Sequence, residues 1–208
     1  KAEDLLAYEA GYRAQLSESA TIDVAAFYND YNDITSAEPG VPFIGTLRDQ
    51  DTPAFIIPLS FQNELKVESY GVEVAAEFRL FDWWRLIAGY SYIDLNAKLG
   101  NSLDESEAKN IESSTPNNTA SLRSAFDFTE DITFDAILRY VDHISEEFAD
   151  KYMEMDARLA WQATESVELA IVGRNLLHDE HKEFESQVLR PVSTEIDRSV
   201  FGTVTVTF

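Results

Sequence analysis

The sequence of 208 residues predicts an all-β protein, an antiparallel transmembrane β-barrel segment of about nine strands. Three observations support this prediction. Nine segments alternate apolar and polar residues, the connections between them alternate between short and long, and the basic residues inside the segments are all arginines. Successive side chains of a strand point to opposite faces, so each alternating segment predicts a strand with one apolar and one polar face.

The first five predicted strands carry apolar side chains at every second position. Segment 69–80 is the clearest, because Val72 and Val74 lie on one face while Glu73 and Glu77 lie on the other. The five strands are residues 8–16, 20–31, 69–80, 85–95 and 118–128. Their apolar faces include, in the same order, Tyr8, Tyr12 and Leu16; Ile22, Val24 and Tyr28; Val72, Val74 and Phe78; Leu86, Ala88 and Tyr90; and Leu122, Phe126 and Phe128.

The last four predicted strands repeat the pattern and are residues 132–142, 152–163, 167–174 and 198–208. Their apolar faces include, in the same order, Ile132, Phe134 and Leu138; Met153, Met155 and Leu159; Val167, Leu169 and Ile171; and Val200, Val204 and Val206. No segment shows a helical period, so the sequence predicts no helix. No apolar run reaches the roughly 18 residues that would indicate a transmembrane helix.

The connections between the predicted strands alternate in length without exception. Short turns fall at Ser17–Ser19, Phe81–Trp84, Thr129–Asp131 and Thr164–Ser166. Longer links fall at about Asn32–Ser69, Asn96–Asn117, His143–Lys151 and Asn175–Asp197. Outer-membrane barrels show this alternation, because they have tight turns on the periplasmic side and long loops outside. Their tilted strands need roughly 9–11 residues to cross the membrane, which suits the predicted strands.

A soluble or secreted β-sandwich that binds or adheres through acidic loops is the alternative interpretation. The strands of a sandwich also alternate apolar and polar residues, but its connections need not alternate between short and long. Many lysines would also be expected on its solvated face. Here the strand-borne cations are eight arginines, and the six lysines all lie outside the predicted strands. Arginine pairs bidentately with carboxylates in crowded sites, which favours a barrel lumen. A third interpretation is a self-contained pore or adhesin barrel that gains a tenth strand by oligomerisation.

The parity of the strands suggests that residues 1–208 are one part of a larger barrel. The first strand leads into a short turn and the ninth follows a long loop, so both would descend from the outside. Bacterial single-chain barrels normally have an even number of strands. We therefore expect further strands before Lys1, since an unpaired edge in lipid leaves backbone groups unsatisfied.

Composition and charge exclude several classes of protein. There are 38 acidic and 16 basic residues, giving a formal net charge of −22, so binding to nucleic acid is not expected. The predicted strands hold 12 acidic residues and eight arginines, whereas the rest of the chain holds 26 acidic and eight basic residues, so most of the charge lies in the connections. Without cysteine, the chain has neither disulfides nor thiolate metal sites.

Several segments resemble, in order and spacing, the C-terminal part of the barrel of a TonB-dependent outer-membrane receptor. They are LAYEAGYR at Leu6–Arg13, ESYGVEVAAEF at Glu68–Phe78, TPNNTASLRSAF at Thr115–Phe126, MDARLAWQ at Met155–Gln162, VELAIVGRNLL at Val167–Leu177 and RSVFGTVTVTF ending at Phe208. Gly202 lies one position earlier than the assembly signal of these receptors usually places glycine, while Val204, Val206 and Phe208 fit that signal.

This resemblance implies a barrel of 22 strands around an N-terminal plug in the outer membrane of a Gram-negative cell. Receptors of this kind import scarce nutrients, most often ferric siderophores, and some take haem, cobalamin, copper or sugars. The implied partners are outer-membrane lipid and lipopolysaccharide, a metal-chelate ligand, and the TonB complex, which would act through a plug that residues 1–208 do not include.

Three histidines are the candidate ligand-binding residues. His178 and His181 enclose Asp179 and Glu180 in the last long link, and neutral imidazole is a good ligand for transition metals. His143 lies at the start of the preceding link and could approach His178 across neighbouring strands. The alternative is a solvated acidic loop, because the HxxH spacing has no predicted strand or helix to hold it. We therefore assign no resident metal site and no cofactor.

Four aromatic residues are predicted to belong to the interfacial girdle of a membrane barrel: Phe81, Trp83, Trp84 and Phe208. Two acidic clusters, Asp104/Glu105/Glu107 and Glu146/Glu147/Asp150, match no dedicated calcium loop and are interpreted as solubilising or as bridging to divalent cations of lipopolysaccharide. No serine–histidine–aspartate order, glycine-rich phosphate loop or isolated carboxylate pair is present, so no catalytic residue and no enzymatic activity are predicted.

Overall fold

Nine long antiparallel strands form one sheet in the computed structural model, which describes residues 1–46, 53–144, 149–183 and 195–208. The elements in chain order are β1 (Asp4–Ser17), β2 (Ala20–Pro39), β3 (Phe43–Thr46), β4 (Pro53–Ile56), β5 (Leu59–Phe81), β6 (Trp84–Lys98), α1 (Glu105–Glu112), β7 (Asn118–Asp127), β8 (Ile132–Val141), β9 (Tyr152–Thr164), β10 (Val167–Arg174), β11 (Glu180–His181), β12 (Ile196–Asp197) and β13 (Ser199–Val206). The sheet order is β1-β2-β5-β6-β7-β8-β9-β10-β13, and β3-β4 and β11-β12 form separate pairs. The prediction of nine long antiparallel strands is confirmed.

The register places apolar side chains of neighbouring strands in rows on one face of the sheet. Leu122 pairs with Leu138, and Leu138 pairs with Met155. The side chains of this apolar face remain open, since Leu159 is 47% exposed and Val204 is 68% exposed. A β-sandwich would cover such a face with a second sheet. No such layer exists in the described ranges, which argues against the sandwich interpretation.

Two strands extend far into the link that the sequence predicted to be a loop. Strand β2 continues to Pro39, and β5 begins at Leu59, with the antiparallel pair β3–β4 between them in the chain. Asp33 explains why the alternation is lost, because its φ of 59° is left-handed and interrupts the regular period. Lys66 and Lys98, both outside the predicted strands, consequently lie in observed strands.

The prediction that the chain has no helix was wrong, because residues Glu105–Glu112 form helix α1. With eight residues and one buried side chain, Ala108, this helix is too short to show an apolar period. The sequence nevertheless indicates where the helix begins, since aspartate is a preferred N-cap residue. Asp104 is the N-cap and accepts a hydrogen bond from the Glu107 N–H at 3.0 Å. The acidic cluster at residues 104–107 is thus explained as a helix start.

The contacts divide the chain into two compact units. One comprises Lys1–Glu9, Phe27–Tyr70 and Asp94–Thr115 and buries Leu65 and Val67. The other comprises Ala10–Ala26, Gly71–Ile93 and Pro116–Phe208 and buries four alanines, Ala125, Ala149, Ala160 and Ala170. No helix in the described residues is long and apolar enough to cross a membrane.

Within the first unit, two carboxylates attach the segment before α1 to the end of β2. Glu38 accepts hydrogen bonds from the Ser102 hydroxyl at 2.6 Å and the Leu103 N–H at 2.8 Å. Asp104 accepts one from the Ala37 N–H at 2.7 Å. These contacts join residues that are more than 60 positions apart, so the link between β6 and β7 is an ordered part of this unit.

Candidate ligand-contacting site

The polar face of the sheet carries pairs of arginine and carboxylate side chains in the second unit. Both Arg123 Nε and Nη2 donate to Asp135 Oδ1, at 2.9 and 2.6 Å, and Arg158 Nη2 donates to Glu168 Oε1 at 2.5 Å. Asp135 and Arg158 are register partners, so these four residues alternate in charge across four strands. Further pairs are Arg13–Asp23, Arg85–Asp127 and Arg139–Asp156. The arginine network expected from the sequence is therefore present on this face.

A groove of about 590 Å³ opens on the polar face of this unit. Its lining includes Asp23, Glu73, Ser121 and Arg139. Both signs of charge and neutral hydroxyls occur in the lining, but most of its surface is apolar, so the groove suits a ligand that buries apolar surface beside a few polar contacts.

The centre of the histidine site is Glu154, which the sequence analysis did not select. Its side chain is fully buried at the start of β9 and accepts a hydrogen bond from His178 Nδ1 at 2.6 Å. The backbone N–H groups of Leu177 and Met155 donate to the same carboxylate at 3.1 and 3.4 Å. The sequence does place Glu154 on the polar face of a predicted strand. The alternation of polar and apolar residues, however, does not show which acidic residue of a polar face is buried.

His181 lies against the same carboxylate but has different partners. Its Nδ1 is 3.6 Å from Glu154 Oε1, and its Nε2 donates to Glu183 Oε1 at 3.0 Å. The ring contacts Tyr152 with a centroid distance of 4.7 Å, and the side chain is only 9% exposed. The structure thus brings His178 and His181 together around Glu154, and β11 holds His181 on a strand where none was predicted.

The pairing of β11 with β12 places like charges opposite each other. Glu180 pairs with Asp197, and the nearby carboxylate of Glu195 raises the pKa of Glu180. Like charges directly across a pair of strands are destabilising. Arg198 offsets part of this negative charge. Its Nη2 lies 3.1 Å from Oδ1 of Asp179, the residue before Glu180.

His143 lies in a separate contact with its chain neighbour Asp142. Its Nδ1 is 3.1 Å from Asp142 Oδ1, and its side chain is 55% exposed. The Asn118 side chain, donating at 2.9 Å, and His143 together lower the pKa of Asp142 from 3.8 to about 2. Among the described residues, His143 thus contacts Asp142, whereas His178 contacts Glu154.

The depressed pKa of Asp142 predicts an acid-dependent loss of stability. A carboxyl whose folded pKa lies below its unfolded value stabilises the fold above the unfolded pKa, here 3.8, and that stabilisation is lost as the pH falls towards about 2. We expect the amide proton shift of His143 to titrate with a midpoint near 2 and Asp142→Asn to abolish this titration. A midpoint at the ordinary aspartate value would contradict the assignment.

Asn175 ends β10 in a conformation that few residues adopt. Its φ is 54°, and its N–H donates to Asp156 Oδ1 at 3.0 Å. Its Oδ1 accepts a hydrogen bond from Arg139 Nη2 at 3.1 Å. Asparagine tolerates the left-handed region because its short side chain can hydrogen-bond locally. This residue therefore turns the chain from β10 towards the histidine site.

Two substitutions separate the roles of the Asn175 backbone and side chain. Asn175→Gly keeps the left-handed turn but loses both side-chain hydrogen bonds, the one from Arg139 and the one to the Asp197 carbonyl. We expect this to lower the free energy of local opening by about 1.5 kcal/mol. Asn175→Ala loses the same hydrogen bonds and also strains the left-handed turn, so it should lower the free energy of local opening by about 1 kcal/mol more. The free energy of local opening, measured by hydrogen exchange of the Leu176 amide, checks this order; equal losses would contradict the role of the turn.

The predicted girdle residues Phe81, Trp83 and Trp84 form a continuous aromatic cluster with Phe126, Phe128 and Phe134. Trp83 and Trp84 stack at 6.1 Å, and Trp84 stacks on Phe126 at 5.4 Å. The Trp84 indole N–H donates to the Ser124 hydroxyl at 2.9 Å. Phe208 lies elsewhere, beyond β13, and is fully exposed. The girdle assignment itself stays a prediction.

Glu146 and Glu147 of the second acidic cluster lie outside the described residues, as does the link after Glu183 up to residue 194. Within the described residues, no group of three or more His, Asp or Glu side chains is arranged to hold a metal ion.

Comparisons with known proteins address the identity of the fold. The family described as "TonB dependent receptor-like, beta-barrel" matches residues 1–176. No curated protein sequence matches the chain.

Solved structures of three receptors are similar over nearly the whole chain. They are the ferric-catecholate import receptor Fiu of E. coli K12 (18% identity, TM-score 0.73, 100% of this chain and 28% of that one), the ferric enterobactin receptor PfeA of Pseudomonas aeruginosa (15%, 0.71, 100% and 31%) and the ferric yersiniabactin uptake receptor FyuA of Yersinia pestis (19%, 0.68, 99% and 30%). Because the sequence identities are below 20%, these similarities show a shared fold and nothing further. The chain spans less than a third of the length of each receptor.

The family match covers most of the chain, and the nine-stranded antiparallel sheet with its open apolar face agrees with it. The chain therefore belongs to the TonB-dependent receptor-like β-barrel family and lies in the outer membrane of a Gram-negative bacterium.

Proposed function

We propose that the receptor containing this chain imports a ferric siderophore or another metal chelate across the outer membrane, driven by the TonB complex. The family match over residues 1–176 carries the proposal. It is supported by the similarity of the fold to receptors for ferric catecholate, ferric enterobactin and ferric yersiniabactin. In this proposal the chain supplies part of the barrel wall and several external loops, while a plug outside residues 1–208 contacts TonB.

The candidate contacts with the chelate are the three predicted histidines, His143, His178 and His181. His143 and His178 are each about half exposed, whereas His181 is largely buried. Lipid would contact the apolar face, and lipopolysaccharide would contact the loops. These contacts are part of the same proposal.

The charge of the connections favours one class of chelate. Outside the predicted strands the chain holds 26 acidic and eight basic residues. A surface of one sign concentrates ligands of the opposite sign and repels those of the same sign. We therefore propose a chelate with a neutral or positive net charge over a strongly anionic one.

The test is the uptake of ⁵⁵Fe by the bacterium that encodes the receptor, grown under iron limitation. A panel of ferric chelates of negative, neutral and positive charge is compared between wild type, a deletion strain and a strain with tonB deleted. We expect deletion to remove uptake of a neutral or positive chelate, and loss of tonB to have the same effect. Unchanged uptake of every ferric chelate would overturn the import proposal.

A further inference from the structure

Within its described ranges the chain offers a metal at most two side chains at one place, because no cluster of three His, Asp or Glu residues is placed to hold an ion. A metal that reaches this surface must therefore bring most of its own ligands. A chelate with an open coordination position meets this condition, and one protein nitrogen is enough to fill that position.

The two clustered histidines differ in the nitrogen that they leave free. His178 donates Nδ1–H to Glu154 Oε1 at 2.6 Å, so its neutral ring carries the lone pair on Nε2. Its side chain is 54% exposed, and Nε2 has no hydrogen-bond partner in the described parts of the chain. His181 has Nε2 against Glu183 and its buried Nδ1 3.6 Å from Glu154 Oε1, so neither of its nitrogens is open to a metal. Of these two rings, His178 is the one that is about half-exposed among the described residues.

Glu154 has the properties of a carboxylate that positions a metal ligand. It is fully buried, and the N–H groups of Leu177 and Met155 hold its oxygens. A carboxylate on the far nitrogen of a ligating histidine fixes the tautomer and the orientation of the ring, and it raises the basicity of the ligating nitrogen. The ring of His178 is thus preorganised before any metal arrives.

We propose that Nε2 of His178 coordinates the metal of a chelate that has an open position, and that Glu154 is the positioning residue for this contact. The proposal rests on the proposed function and narrows it, because it keeps only His178 of the three candidate histidines as a metal contact. His181 is assigned to packing, and His143 is excluded because its carboxylate partner, Asp142, is not fully buried. It also restricts the substrate to chelates that do not saturate their metal.

His143 provides a matched control. Its exposure of 55% is close to that of His178, and its Nδ1 also faces a carboxylate, Asp142. The His143–Asp142 contact is longer, at 3.1 Å, and joins adjacent residues. Glu154, in contrast, is 24 positions from His178 and lies in β9. Both histidines are accessible, so a difference between them measures the effect of preorganisation and not of exposure.

The probe is copper(II) iminodiacetate, a chelate with open positions, added to the purified full-length receptor in detergent. Binding is measured by calorimetry, and electron spin-echo envelope modulation detects the remote nitrogen of a coordinated imidazole. We expect His178→Ala to remove the tightest site together with its modulation, and His143→Ala to retain both. Glu154→Gln should weaken binding about tenfold, the lower end of what carboxylate partners contribute.

A second measurement separates positioning from a merely structural role of Glu154. ¹⁵N shifts of His178 should show the Nδ1–H tautomer in the wild type and a mixture of tautomers in Glu154→Gln, because an amide both donates and accepts. Binding that is unchanged in His178→Ala, or an unchanged affinity and tautomer in Glu154→Gln, would overturn the proposal. If chelate import persists while the copper site proves independent of His178, only this inference fails. If copper binds at His178 but no ferric chelate is imported, the transport proposal fails.

Discussion

Glu154→Ala is expected to lower the free energy of local unfolding by about 3 kcal/mol, since a donor left without its acceptor in a buried site costs about 1–3 kcal/mol. The carboxylate is fully buried and accepts three hydrogen bonds, from His178 and from the N–H groups of Leu177 and Met155. Alanine leaves these donors without an acceptor and opens a cavity beneath the link. We expect the loss to be local to the segment after β10.

Hydrogen exchange of the Leu177 amide measures this loss directly. Glu154→Gln is the control, because its carbonyl oxygen still accepts from one backbone N–H and its volume is nearly unchanged. Protection of Leu177 should therefore fall far more in Glu154→Ala than in Glu154→Gln. Undiminished protection in the alanine variant would show that Glu154 does not hold this segment.

Leu138→Lys is expected to destabilise the barrel in a bilayer by about 2–4 kcal/mol, the range for a lysine facing lipid near the midplane. Leu138 lies in the apolar row between Leu122 and Met155. The measurement is the free energy of folding of the receptor into phospholipid vesicles, obtained by denaturant titration.

The neighbouring residue Ile137 supplies the control on the opposite face. It is also aliphatic and half-buried, and its register partner on β9 is Asp156. Its register partner on β7 is Arg123, so a new ammonium at this position faces a carboxylate on one side and a guanidinium on the other. These effects offset in part on a polar surface, so Ile137→Lys should change the folding free energy by less than about 1 kcal/mol. Equal losses at the two positions would contradict the assignment of the faces.

Regular alternation made most of the fold predictable. The predicted strand 167–174 coincides with β10, and the predicted strand 118–128 differs from β7 by one residue. Between residues 32 and 69 the prediction of a loop was wrong, since Asp33 breaks the period while the hydrogen-bonded pairing continues. Helix α1 was missed because two turns with one buried residue show no period, although Asp104 and Glu107 mark its start.

The candidate site was only half predictable. His178 and His181 were recognisable as metal-ligand side chains, but the sequence does not indicate which nitrogen each one exposes. That depends on Glu154 and Glu183, and Glu154 is one of several acidic residues on polar strand faces. Burial of one of them results from the turn at Asn175, which folds the NLL segment over the start of β9.

The sequence by itself determined the fold class, the faces of the strands and the family, because the period of a strand is local and is written in successive residues. Only the tertiary structure decided how far the strands extend, which carboxylate is buried and which histidine remains open. Those features depend on contacts between residues far apart in the chain, such as His178 with Glu154 and Ala37 with Asp104. No local pattern encodes the free energy of such contacts, since each depends on what the folded chain brings next to it.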